Sequence, residues 1–312
     1  MSAQVQSFLL ERRQAEDSLY LLVNPLAECD EHHPLSLSSF RQEHGEARVA
    51  TILRPDLAHT PPACPALLQL AAPGQDLPTR YLSLSEDYAQ QDMQYRRRYV
   101  YGWLLCDQAP EVLAVHMAAH CWFEQRSAQR QCIPWFEPLR MELLAASSAN
   151  MLGALLGPVH TSLFPTSWGT FTAYQGLPHA LAELPPQAWE TQRLTPLISD
   201  LLTAWRQALT QLHSFAPWQW KGQTLLPPQA AAHAFRLIRD ARKQGLRDQD
   251  DILTLSLHRL FIHPQLPGHP TVQSDIRCAA TGQRSLADSF QAYDDRAWIN
   301  IVASLPRAKE YS

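Results

Sequence analysis

Proline closes the apolar runs in the first half of this chain, and that limits how long its elements can be. SLYLLVNP (Ser18 to Pro25) is a short apolar run ended by Asn-Pro, and ARVATILRPD (Ala47 to Asp56) also stops at a proline. Proline fixes φ and removes a backbone donor, so neither run continues past it as a helix or a paired strand. With 24 prolines against 11 glycines, the chain reads as many short elements. No GxGxxG and no P-loop is present to cradle a phosphate.

Both apolar runs read as buried strands. The polar stretch between them, DEHHPLSLSSFRQEHG, reads as a connection with one helical turn, and TPPACPALLQLA as a proline-rich entry to a short helix over Ala66–Ala71. LSLSEDYAQQDMQYRRRYVYG reads as helical from Ser85, with Glu86 and Asp87 placed where the helix dipole favours acids. VYGWLLCD reads as a strand whose Asp107 caps the helix APEVLAVHMAAH, with Pro110 inside the first turn, where its missing N–H costs little. CWFEQ and QCIPWFEP are strand candidates, PLRMELLAASS a helix, and LLGPVHTSLFPTSWGTFTAY β-leaning.

The texture changes near LAELPPQAW (Leu181 to Trp189). Beyond it Leu197, Leu201, Leu202, Trp205, Leu209 and Leu212 form one helical stripe. AAAHAFRLIRDARKQG ends at Gly245, DDILTLSLHRLFIHP at Pro264, and SLADSFQAYDDRAWINIVASL is a further amphipathic segment. The expected fold is α+β: a mixed α/β lobe with a small sheet over residues 1–184, then a helical lobe over residues 185–312.

A chain of 312 residues, 46% hydrophobic and 18% charged, has enough apolar surface for a sizeable core. Its net charge of −4 offers no basic field for nucleic acid, and the run Arg96–Arg98 reads as a solvated face. No apolar stretch reaches the length of a membrane span, and the N-terminal stretch lacks the apolar core of a signal peptide. Cys29, Cys64, Cys106, Cys121, Cys132 and Cys278 are scattered without CxxC pairs, which reads as free thiols in a reducing cytosol.

HMAAHCW holds the pair most suggestive of chemistry. His116 and His120 share a helix face with Leu113 and Met117, so both could reach one zinc. The zincin pattern needs Glu directly after the first histidine, and that position is Met117; no third ligand is placed by spacing. His116 therefore reads as a hydrogen-bonded core histidine. His32 and His33 fall in a polar loop, as do His263 and His269, and DQDD (Asp248, Asp250, Asp251) reads as an acidic helix start, since it lacks the glycine and closing Glu of a calcium loop. Ser167 in TSWGT is outside any GxSxG elbow. No catalytic, cofactor or metal residue is assigned.

Three stretches, YGWLLCDQAPEVLAVHMAAH, IPWFEPLRMELL and LLGPVHTSLFPT, resemble in order and spacing the effector adaptor/chaperone family of type VI secretion (Tap/Tec-type adaptors). The family's strand–helix unit is matched at Gly102, Trp103, Leu104, Leu105, Leu113 and His116, and its LLGP helix end at Leu155, Leu156, Gly157 and Pro158. The family's RFYDPR corner is matched loosely by Trp135, Phe136 and Pro138. Its Asp is Glu137 here, its leading Arg is Pro134 and its second Arg is Leu139. If those charges pin the corner by ion pairing, another contact must do so in this chain.

The resemblance spans roughly residues 18–175. It implies a non-catalytic cytoplasmic adaptor that holds a secreted toxic effector, through its N-terminal region or a PAAR-type tip protein, and helps load it onto the VgrG spike. It implies no cofactor, nucleic acid or membrane as partner. The matched residues read mainly as fold determinants, because buried aromatics usually belong to the core. Trp218, Trp220 and Lys221 could hold a partner's apolar segment or close the junction between lobes. Two rival readings are a metal-dependent hydrolase using His116 and His120, and an immunity protein that blocks a toxin.

Overall fold

The structure, a computed structural model, describes residues 3–93, 97–124, 130–178, 184–210 and 224–306. Two compact units divide between Arg193 and Leu194. The fold is α+β; among the described residues the strands lie in the first unit and the second is helical.

The first unit is organised around β1 (Ser18–Val23), β2 (Val49–Thr51), β3 (Ala66–Ala71), β4 (Val100–Cys106), β7 (Val159–Pro165) and β8 (Phe171–Tyr174). They form one sheet in the order β2-β3-β1-β4-β7-β8, and every neighbouring pair is antiparallel. Every residue of β1 and β4 is buried, as expected for central strands covered on both faces.

The two-residue period of a strand sorts those side chains into two cores. Leu19, Leu21, Trp103 and Leu105 face one way and pack with Val5 and Leu9 of α1 (Ala3–Arg12), Phe40 of α2 (Leu37–His44) and Tyr81 and Leu82 of α3 (Thr79–Asp92). Tyr20, Leu22, Leu104 and Cys106 face the other way. They pack with Leu113 and Met117 of α4 (Pro110–Ala119) and with Met141, Leu144, Leu152 and Leu155 of α5 (Pro138–Leu156). The first unit is thus three layers, helices on either side of a sheet. A separate hairpin pairs β5 (Trp122–Glu124) with β6 (Arg130–Cys132).

Several sequence expectations need correction. Ala66–Ala71 is not a helix but an inner strand, paired with β1 and β2 at once; partners on both edges override the helical propensity of Ala and Leu in a run of six. The helix expected from Ser85 begins at Thr79, so Ser85 and Glu86 sit buried in its middle. Asp107 does not cap α4: Ala109 holds that position, and the Asp107 carboxylate accepts from Gln108 Nε2 at 2.8 Å. The connection after β1 carries a full two-turn helix, α2, with Ser36 as its side-chain cap.

Arg98 is not a solvated charge. It is buried, and its guanidinium donates to the carbonyls of Pro165 (3.0 Å) and Thr166 (3.2 Å) at the far end of β7. Burial lowers its pKa, opposed by the carboxylates of Glu142 and Asp92. The carbonyls of a turn consume this cation, so it is not part of a basic surface.

Helix α6 (Pro186–Thr210) starts before the predicted stripe and runs through the division between the units. In the second unit its Leu197, Leu201, Leu202 and Trp205 are buried, as are Ala234, Phe235 and Ile238 of α7 (Ala230–Lys243) and Ile252 and Leu255 of α8 (Gln249–Phe261). Asp248 caps α8, accepting from the amides of Asp250 and Asp251, and Asp251 in turn accepts from the amide of Leu286 at 2.7 Å. The histidine-flanked loop is followed by a helix the sequence did not reveal, α9 (Pro270–Ala280), which His269 caps. The last amphipathic segment is two helices, α10 (Leu286–Gln291) and α11 (Asp295–Ser304).

Two half-buried histidines packed against aromatic rings are expected to make the second unit sensitive to acid. His233 stacks edge-on with Trp205, and burial first, then Arg236 and Arg259, pushes its pKa down to about 4. His258 lies against Phe290 and Trp298, and burial lowers its pKa too. Above pH 6.5 these rings are neutral folded or unfolded. Between pH 6.5 and about 4 the unfolded chain binds protons that the folded His233 does not, so stability falls as pH falls through that window. His233 alone should remove about 2 kcal/mol between pH 7 and pH 5. Urea unfolding at the two pH values checks this, and His233→Phe should flatten the difference.

Candidate functional site

The three stretches that carry the resemblance meet on the α4/α5 side of the sheet. Gly102 and Trp103 lie side by side in β4 but serve different contacts. Trp103 is fully buried on the opposite face, where its Nε1 donates to Ser85 Oγ at 2.9 Å and its ring meets Phe171 edge-on. Gly102 has φ of +156°, and a Cβ there would lie 2.5 Å from the carbonyl oxygen of Leu163 on β7. The glycine permits this close approach of two backbones.

His116 and Gly157 form a clasp. His116 Nε2 donates to the carbonyl of Leu155 at 2.9 Å, one of the last-turn carbonyls of α5 that no helical amide satisfies. Gly157 ends that helix with φ of +51°, and its amide donates to Gly153 O. The imidazole lies directly over it: a Cβ on Gly157 would sit 2.6 Å from His116 Cε1. Burial lowers the pKa of His116, opposed by the Leu155 carbonyl and aided by His120, so the neutral ring with its proton on Nε2 is the form that fits. The helix-end glycine and the α4 histidine, 41 positions apart, are one contact.

His120 closes the same helix. It occupies the C-cap of α4, and its Nδ1 donates to the His116 carbonyl at 2.8 Å. The two rings are 4.3 Å apart between centroids. Each thus has one ring nitrogen engaged by a backbone carbonyl, and among the described residues no group of three His, Cys, Asp or Glu side chains is arranged to hold a metal ion. Ser167 is buried and donates through both its amide and Oγ to the Glu142 carboxylate, each at 2.8 Å.

The corner is pinned by charges the sequence did not point to. Trp135 and Phe136 are fully buried in the α4/α5 core, edge to face at 5.7 Å. Glu137 stands at the N-cap of α5 with Pro138 at its first position. The Glu137 carboxylate takes Arg54 NH1 at 3.1 Å and Arg140 Nε at 2.8 Å. Arg54, whose side chain is 10% exposed, also makes a two-pronged pair with Asp56 at 3.1 and 2.7 Å. Burial works against the Arg54 charge, but its hydrogen bonds to the Asp56 carboxylate and the nearby Glu137 carboxylate outweigh it and raise its pKa. Arg140 donates to Gln192 O at 2.9 Å, tying the corner to the start of α6.

The corner is held by two cations, Arg54 from the segment after β2 and Arg140, one residue beyond Leu139. Glu137→Ala should cost about 2–3 kcal/mol, because it strips two cations of a partner in a low-dielectric setting, while Glu137→Gln should cost less. Urea titration of the purified variants measures both.

Trp218, Trp220 and Lys221 lie outside the described residues. No family model, curated protein or solved structure matches the chain.

Proposed function

We propose that this chain is a cytoplasmic adaptor that holds a type VI secretion effector, through its N-terminal region or a PAAR-bearing segment, and helps load it onto the VgrG spike. What supports the reading is the clasp between His116 and Gly157. Two landmarks of the resemblance that are far apart in sequence, His116 and Gly157, meet as one contact, and the polar groups of His116 and Glu137 are spent on partners within the fold. Such residues build a scaffold and leave recognition to its surface. No described helix is long and apolar enough to cross a membrane.

The work of such a protein is to cover apolar area that would otherwise aggregate. A stable complex of this kind buries on the order of 1,200–2,000 Å². Co-expression with the toxin or tip protein encoded beside this chain is expected to raise that partner's soluble yield several-fold and to give a co-purifying pair. Unchanged yield and no co-purification with any such partner would overturn the reading.

The metal-hydrolase alternative needs a third ligand beside His116 and His120, and among the described residues no group of three His, Cys, Asp or Glu side chains is placed to hold a metal ion.

A further inference from the structure

Helix α4, PEVLAVHMAA, is apolar apart from Glu111 in its first turn and the half-buried His116. Its inner face is accounted for: Leu113, Ala114 and Met117 are buried against the sheet. On the opposite face Val112 is 53% exposed, Val115 68% exposed, and Ala119 is exposed too. At 100° per residue these three positions fall within about 60° of one another, a straight strip on the side away from the core. A surface helix ordinarily carries charge on that side, and an apolar outer strip in its place is a surface suited to cover by another element.

The strip has a charged end. Glu111 and Asp107, at the N-terminal end of α4, are exposed, and neither carboxylate is in an ion pair among the described residues. Three small side chains present an area on the order of a few hundred Å², well short of the about 800 Å² per partner that a stable dimer needs. A second copy of this chain is therefore a poor occupant. A single helix fits, because a ridge of small residues three and four apart admits the apolar ridge of another helix at close range. Lying antiparallel, such a helix would bring its last turn to Glu111 and Asp107, and Lys or Arg is also the residue that a last turn favours through its own dipole.

We infer that Val112, Val115 and Ala119 form the docking strip for an amphipathic helix in the effector's delivery region, with apolar residues at i, i+3 or i+4 and i+7 and a basic last turn against Asp107 and Glu111. This rests on the adaptor reading and names the part of the surface that performs it.

The test titrates the purified delivery region of the neighbouring toxin into the full-length chain, its Val112→Asp/Val115→Asp variant and its Glu111→Lys variant. The doubly substituted variant should bind at least ten-fold more weakly with an unchanged thermal midpoint. Glu111→Lys should bind about three- to ten-fold more weakly and lose part of the salt dependence. Because both valines and Glu111 are at the surface, the second variant serves if the first folds poorly. Equal binding by all three proteins overturns the docking strip and leaves the adaptor reading standing. No binding by the unsubstituted chain overturns both. A two-chain mass in light scattering that Val112→Asp/Val115→Asp returns to one chain assigns the strip to self-association and also overturns the inference.

Discussion

Gly102→Ala is expected to cost about 3–5 kcal/mol, or to leave the chain insoluble, although it adds a single methyl group. That methyl would lie 2.5 Å from the Leu163 carbonyl oxygen and 3.1 Å from Phe164 Cβ. The nearest obstacle is backbone, so no side-chain rotation relieves it. Strands β4 and β7 would have to separate inside a six-stranded sheet, and φ of +156° adds strain of its own for any L side chain. Urea unfolding of the variant against the unsubstituted chain reads the cost; a loss below about 1 kcal/mol would mean that the two strands part easily, contrary to this packing.

Gly157→Ala is expected to cost about 2–4 kcal/mol, for a different reason. Its Cβ would strike the His116 ring at 2.6 Å, and a ring can swing away. Swinging breaks the bond from Nε2 to Leu155 O and leaves a helix-end carbonyl unsatisfied. The signature of the clasp is coupling. In a His116→Ala background, Gly157→Ala should cost only the backbone strain at φ of +51°, so the double variant should be less damaged than the two single losses added together. Strict additivity would show that the two residues do not act on each other.

These two glycines also show how far the sequence reaches. Gly157 before Pro158 is legible as a helix stop, because an αL-tolerant residue followed by proline has a local mechanism. That His116 sits above it is not legible, since nothing in local spacing joins α4 to the end of α5. The same division holds elsewhere. SLYLLV and VYGWLLC read as strands because their apolar runs and flanking breakers are local signals. ALLQLA misreads as helix because its strand character comes from β1 and β2 on either side, which no window of the sequence contains.

Charge follows the same rule. Asp248 is legible as a helix start because a cap acts within three residues. Arg98, beside Arg97, has the local look of a solvated run, yet its partners are carbonyls 67 and 68 positions away. Glu137 reads as a departure from the corner of the family that the chain resembles, and a compensating contact is expected there only if ion pairs pin that corner. Which residue supplies it could not be read: Arg54 is 83 positions upstream, and only its proximity to Asp56 marks it as part of a charged group.

The proposed adaptor role requires that this fold grip the delivery part of another polypeptide and leave its toxic part free. The most direct measurement is hydrogen–deuterium exchange on the co-purified pair, comparing each partner free and bound. The account predicts protection of the toxin's N-terminal or PAAR-bearing region, with matching protection of α4 here. Protection confined to the toxic domain would make this chain an immunity protein, and unchanged exchange throughout both partners would contradict the claim outright.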